Sequence, residues 1–324
     1  MIENLFNQIL KAAYTRKVSD IYILPKDNYY EIKFRGPTFN EFYNSMTNKD
    51  AQQLINFCKY TANMSVSEHR RPQMGSGLQK INSENVYLRF SSVGDFRHRD
   101  SMVIRILYKS VDCKYYDKSN NPIELLKHQC LSKGIVIFAG PTGSGKTTSI
   151  YNLAKHYGKN KMVMTIEDPI EIHEEDFLQL QVNASSNMKY DDLLKVGLRN
   201  RPDIFIVGEI RDEYTAEVAI KASLSGHLVL STVHSNNHNG VIKRLLKLGI
   251  NEDYLKYAIN AVVYQNLISD VENKLYLLAT VATNEDLFNN QKSDEHYNIE
   301  WNQKLDELLQ NKRISTKIYN ETIL

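Results

Sequence analysis

GIVIFAGPTGSGKTTSIYNLAKHYG, residues 134–158, decides how this 324-residue chain is read. It opens with an unbroken apolar run the length of a buried strand. Gly140, Pro141, Thr142, Gly143, Ser144, Gly145, Lys146 and Thr147 then match the spacing G-x-x-x-x-G-K-[ST], and Thr148 leads into a helical pattern. The residue types suit phosphate. Glycines let backbone N–H groups turn inward around an anion. The start of the following helix adds a positive dipole end. Lys146 is long enough for the β- and γ-phosphates, and Thr147 offers a hydroxyl to Mg²⁺. ATP and Mg²⁺ are therefore the expected cofactors.

The same rhythm continues downstream. KMVMTIED (161–168), DIFIVGE (203–209) and HLVLSTVH (227–234) read as strands. Helical patterns lie between and after them, around Tyr190–Arg199, at 213–226 and at 240–249. Near-continuous apolar strands separated by helices predict a parallel sheet buried on both faces. Residues 250–324 are expected to be mostly helical, with a polar stretch at 283–298. Trp301, Leu305, Leu308 and Leu309 there have helical spacing and are expected to pack on the core.

In a parallel sheet, ligands sit at the carboxyl ends of the strands. Glu167 and Asp168 end one strand and suit Mg²⁺ binding or the orienting of water. Glu209 ends the next, after four apolar residues, and is the candidate to polarise an attacking water. Arg211 and Asp212 either join it or form a surface ion pair. His234 ends a third strand, where an imidazole can sense a γ-phosphate. His227 begins that strand and reads as structural. The metal candidates are Thr147, Asp168 and Glu209.

The first half differs. Residues 1–20 suggest a helix with Leu5, Ile9, Ala12 and Ala13 on one stripe. Alternating strands are predicted at 21–25, 29–36, 86–94 and 101–107. A helix is predicted from Asp50 to Thr61, capped by Asn48 or Thr47. The stretch 70–80 (RRPQMGSGLQK) reads as a basic loop. An α+β domain over 1–108, a polar linker at 109–121 and an ATPase domain over 122–324 follow. Eight of the thirteen arginines precede residue 110. A triphosphate needs positive charge on its far side, so Arg89 and Arg105 on successive strands are candidates, with Arg97 and Arg99 weaker ones.

Composition sets bounds. Apolar residues make up 42%, charged residues 24% and the net charge is +2, the values of an ordinary globular protein and not of a disordered one. A near-neutral chain has little general attraction for nucleic acid, so no direct nucleic-acid partner is expected. Cys58, Cys113 and Cys130 form no CxxC pair, which argues against structural zinc and suits a reducing cytoplasm. No signal peptide is recognisable, and no apolar run nears the roughly 20 residues of a membrane helix. Any membrane role is expected to pass through a partner.

The motifs GPTGSGKTT, TIEDPIE, LRNRPDIFIVGEIRD and SGHLVLSTVHSNN, in this order, resemble the secretion ATPase superfamily of type II secretion and type IV pilus systems. Ser19-Asp20-Ile21-Tyr22-Ile23 is similar to the opening motif of that family's N-terminal domain. The resemblance implies an α/β fold: a RecA-like P-loop NTPase domain with a parallel sheet, preceded by a smaller PAS-like α+β domain. It implies that Arg89 and Arg105 meet the nucleotide phosphates, that 165–171 is an acidic box with Glu167 and Asp168, and that 226–245 is a histidine box. It also implies a homo-oligomer, a hexamer, that works on a polytopic inner-membrane pilus platform protein from the cytoplasmic face. The larger motors carry an added N-terminal docking domain and commonly a four-cysteine zinc motif, and neither is expected here. The compact form resembles ATPases that assemble competence pseudopili for DNA uptake. Pilus retraction ATPases and an ATP-gated scaffold with little turnover are the alternatives. Arg201, Tyr214, Ser235 and Asn266 depart from the family's usual residues.

Overall fold

The computed structural model describes residues 2–36, 39–82, 84–108, 120–129, 131–182, 188–272, 274–290 and 292–324. The predicted linker, apart from Asn120 and Asn121, lies outside them, as do Cys113 and Cys130. The chain divides into two compact units, Met1–Lys109 and Ser110–Leu324.

In the first unit, α1 (Ile2–Thr15), β1 (Asp20–Pro25), β2 (Tyr29–Arg35), β3 (Asn40–Thr47), α2 (Asn48–Thr61), β4 (Gln73–Ile81), β5 (Glu84–Gly94) and β6 (Asp100–Leu107) follow in order. Every strand pairing is antiparallel, in the order β3-β2-β1-β6-β5-β4. Alternation buries Ile21, Ile23, Ile32, Phe34, Leu88, Phe90 and Ile104 on one face, with Phe6, Ile9 and Leu10 of α1 and Leu54, Ile55 and Cys58 of α2. α1 stops at Thr15, short of the predicted residue 20, where Lys17 turns left-handed at φ 56°. Thr47 is the cap of α2, its hydroxyl accepting from Asp50 N at 3.2 Å.

The loop predicted at 70–80 is corrected by the structure. Residues 73–81 form the edge strand β4, paired along its length with β5. Its glycines explain the missing strand signature. The backbone runs so close to the end of α2 that a Cβ on Gly75 would stand 2.3 Å from the Ala62 carbonyl oxygen.

The second unit contains α3 (Pro122–Leu126), β7 (Gly134–Ala139), α4 (Lys146–Tyr157), β8 (Val163–Glu167), β9 (Phe177–Gln181), α5 (Tyr190–Asn200), β10 (Ile204–Val207) and α6 (Glu213–Leu224). It continues through β11 (Leu228–Val233), α7 (His238–Lys247), α8 (Glu252–Ala258), β12 (Ile259–Ser269), β13 (Leu275–Thr283), α9 (Asp294–Gln310) and α10 (Thr316–Thr322). The seven strands are ordered β13-β12-β7-β11-β10-β8-β9. All neighbours are parallel except β13, which returns antiparallel on β12. Ile135, Ile137 and Ala139 of β7 enter the core on one face, and Val136 and Phe138 enter the core on the other.

The mostly helical expectation for 250–324 fails at β12 and β13. Asn260, Gln265 and Asn266 interrupt β12, so it lacks the unbroken apolar run by which other parallel strands are read, although Ala261 to Gln265 are all buried. Trp301 and Leu305 of α9 are buried in the core, with Leu308 and Leu309 packed against it. Among the described residues, no helix is long and apolar enough to cross a membrane.

One buried ion pair fixes the first unit. Lys59 Nζ donates to Asp100 Oδ1 at 2.9 Å and to the Glu68 carbonyl at 2.7 Å, and neither side chain of the pair is exposed beyond 1%. Burial acts to raise the Asp100 carboxyl, but bonds from Gln52, His69 and Lys59 outweigh it and hold it below the usual range. Lys59→Ala leaves that carboxylate buried without its ammonium. Urea unfolding followed by circular dichroism should then show a loss of about 3–5 kcal/mol; a loss below about 1 kcal/mol would show that the pair behaves like an exposed one.

Candidate nucleotide site

The phosphate loop leaves β7 at Ala139 and enters α4 at Lys146. Gly140, Gly143 and Gly145 take φ values of 142°, 82° and 80°, a region that side chains disfavour. Gly140 is also pressed from below, since a Cβ there would lie 2.1 Å from the Gln265 carbonyl oxygen of β12. Pro141, Thr142 and Gly143 are exposed, Ser144 is buried, and Gly145, Lys146, Thr147 and Thr148 are half-buried. Lys146 Nζ donates to the carbonyls of Gly140 at 2.9 Å and Pro141 at 2.8 Å. Burial pulls the Lys146 ammonium below its ordinary pKa, against the opposing fields of Glu209 and Glu171.

The strands beyond β7 on one side, β11, β10 and β8, deliver the other candidates. Glu209 follows β10 after Gly208. The Gly208 amide donates to the Ile166 carbonyl at 2.9 Å, and the Gly208 carbonyl accepts from Thr232 Oγ1 at 2.8 Å. Ties to β8 on one side and β11 on the other thus hold both peptide groups of Gly208, the residue that precedes Glu209. Glu209 Oε1 lies 3.3 Å from His234 Nε2, and its Oε2 accepts from Arg211 Nε at 2.8 Å. Arg211 and Asp212 do not pair with each other: Asp212 caps α6, accepting from Thr215 N at 2.8 Å. His227 Nδ1 lies 3.1 Å from the Ala222 carbonyl, at the turn between α6 and β11.

The acids of 165–171 sit in three different environments. Glu167 is buried and accepts a hydrogen bond from the Tyr151 hydroxyl of α4, which in turn accepts from Gln179 Nε2 at 2.7 Å. Burial pushes the Glu167 carboxyl up to about 7 and raises the Tyr151 phenol as well. Asp168 is exposed, and its charge reaches Arg211. Glu171, not among the predicted site residues, accepts a hydrogen bond from Thr147 Oγ1 at 2.8 Å. Its signal in the sequence was its place in TIEDPIE, four residues after Glu167. A hydroxyl and a carboxylate already in contact form the kind of hard-oxygen set that Mg²⁺ accepts while keeping several waters, so Thr147 and Glu171 fit that ion.

Arg89 and Arg105 belong to the first unit, where they are direct cross-strand partners on β5 and β6. Arg105 Nε donates to Asp20 Oδ1 at 2.6 Å. Arg97 pairs with Asp27 at 3.1 Å and Arg99 with Asp95 at 2.7 Å. Of the residues that depart from the family's usual ones, Arg201 ends α5 in a left-handed conformation at φ 47°, and Asn266 Oδ1 accepts from Leu267 N at 2.9 Å.

The Type II/IV secretion system protein family matches residues 1–321. The chain belongs to that family, and it is an ATPase. It is 36% identical to competence protein ComGA of Streptococcus pneumoniae over 322 residues, 98% of this chain and 96% of that one. Competence protein ComGA of Bacillus subtilis is 38% identical over 82% of this chain and 76% of its own. Type II secretion system protein E of Klebsiella pneumoniae is 37% identical over 82% of this chain, a match that spans 54% of that longer protein. Among solved structures, the Legionella pneumophila ATPase DotB superposes with a TM-score of 0.77 at 18% identity, covering 98% of this chain and 94% of that one. The pilus retraction motor PilT with bound ADP gives 0.75 at 22%, covering 98% and 96%. At those identities the likeness shows the α/β fold alone.

Burial of Glu167 sets a pH dependence. Its folded pKa lies above the unfolded value, so the native state holds a proton that the unfolded chain releases. The benefit is full below the unfolded carboxyl pKa and is lost as pH rises through about 7. Glu167→Gln should remove this slope. Between pH 5 and 8 the wild type should lose on the order of 3 kcal/mol more than the variant in urea titrations; parallel curves would contradict it.

Proposed function

We propose that this ATPase is a ring-forming motor, a hexamer, that drives assembly of a competence pseudopilus for DNA uptake. The observation that carries the chemical part is the meeting of three features at one edge of the sheet. They are the glycine loop at the end of β7, the Thr147–Glu171 contact beside it, and Glu209 held between His234 and Arg211 on the neighbouring strand ends. The competence assignment is supported by similarity to ComGA proteins over nearly the full chain. We assign the second unit to the RecA-like class and the first to the PAS-like class.

In this reading the amides of Gly143 to Thr147 cradle the β- and γ-phosphates of ATP, and Lys146 exchanges its loop carbonyls for phosphate oxygens. Thr147 and Glu171, with Asp168 and Glu209 directly or through water, would hold Mg²⁺, which neutralises phosphate charge. Glu209 orients and polarises the attacking water, while His234 and Arg211 fix its two oxygens. Glu167, locked to Tyr151, supports the strand end that carries Asp168. Arg89 and Arg105 neutralise the charge that develops on the transferred phosphoryl group. The work would pass to a polytopic platform protein in the inner membrane, from its cytoplasmic face, with no direct nucleic-acid contact.

Two substitutions test this. Lys146→Ala should weaken ATP binding by tenfold or more, on the order expected for losing a charge-assisted contact to phosphate. Glu209→Gln should leave binding within a few-fold and lower phosphate release by about 10²–10³. Equal turnover in wild type and Glu209→Gln would remove Glu209 from the mechanism. Tight ATP binding without phosphate release, even beside the membrane partner, would favour an ATP-gated scaffold instead.

A further inference from the structure

The strand beneath the phosphate loop carries a polar side chain that the core does not need. Tyr264 of β12 is the register partner of Ala139, so Gln265 lies under the first residue of the loop. Gln265 is fully buried. Its Nε2 donates to the Ser144 carbonyl oxygen at 2.6 Å, a contact that only the nitrogen end of the amide can make. Its Oε1 is buried and makes no hydrogen bond to any of the described residues. A buried carbonyl oxygen left unpaired is destabilising, so an apolar residue of similar length would suit packing better.

The side-chain bond from Gln265 to Ser144 has a directional consequence. A peptide group is planar and trans, so its C=O and the next N–H point in opposite directions. Drawing the Ser144 carbonyl down toward β12 therefore turns the Gly145 N–H up, away from β12. Gly145 stands at φ 80° as the residue before α4, where successive amides form an anion-binding hollow. Leu267, two residues along β12, packs against the same glycine, 3.3 Å from where its Cβ would be.

We infer that Gln265 is a positioning residue for nucleotide binding, which orients the Ser144–Gly145 peptide so that its amide faces the phosphates. The inference rests on the ATP reading above and adds to it a contact from outside the G-x-x-x-x-G-K-[ST] segment. Gln265 touches no substrate and acts only through the loop.

Two variants of the full chain decide it. Gln265→Met keeps length and bulk while removing both the donor and the orphaned acceptor. Gln265→Asn keeps the amide but shortens its reach by one methylene. The readouts are the Kd for a fluorescent ATP analogue with Mg²⁺ and the melting midpoint without nucleotide. Both variants should bind on the order of tenfold more weakly, and the midpoint of Gln265→Met should stay within about 3 °C of wild type or rise. A Kd within about twofold of wild type in both variants overturns the inference. So does weaker binding accompanied by a lowered midpoint in both, which would assign Gln265 to packing. Lys146→Ala measured alongside separates the two readings: wild type binding no better than Lys146→Ala would defeat the ATP site itself, whatever Gln265 does.

Discussion

A strand buried on both faces can present chemistry only where it leaves the sheet, and four such strands lie side by side here. β7, β11, β10 and β8 are parallel neighbours, and their ladders pair Ala139 with Val233, Val207 with Ser231 and Val207 with Ile166. The residue after each run is therefore forced to the same edge. Gly140 begins the phosphate loop, His234 follows β11, Gly208 and Glu209 follow β10, and Asp168 follows β8. A slip of one residue in any ladder would drive apolar side chains out of one core and withdraw a site residue from the edge. Side-chain bonds reinforce the register, Ser231 to the Val207 carbonyl and Thr232 to the Gly208 carbonyl.

Three glutamates near this edge show how environment divides one residue type. Glu167 faces inward, loses its water, and shares a hydrogen bond with a phenol, so protonation suits it. Glu209 stays partly open between an imidazole and a guanidinium, which suits the water-holding role proposed for it. Glu171 meets the threonine hydroxyl that follows the loop lysine. In the proposed mechanism the acidic box contributes a support and a ligand set, and the end of β10 contributes the acid for chemistry.

Much of this edge was legible in the sequence, because the loop from Gly140 to Thr148, Glu209 and His234 all stand at the ends of apolar runs whose strand character needs no partner to be recognised. What escaped depends on contacts between distant segments. The burial of Glu167 requires Tyr151 on another element, and the Thr147–Glu171 contact spans 24 residues. Gln265 meets the loop across 121 residues from a strand that read as helix, because Asn260, Gln265 and Asn266 cut its apolar run to four residues. β4 was hidden by Gly75 and Gly77, which carry no strand propensity of their own, and the closeness of the end of α2 requires the first of them.

The chemistry proposed for this edge depends on where the phosphates of ATP lie. A structure of the full chain with Mg²⁺ and a non-hydrolysable ATP analogue measures this directly. The β- and γ-phosphate oxygens should lie within hydrogen-bond distance of the backbone amides from Gly143 to Thr147, with Lys146 Nζ transferred from the Gly140 and Pro141 carbonyls onto them. An ordered triphosphate bound elsewhere, with Lys146 still on those carbonyls, would contradict it.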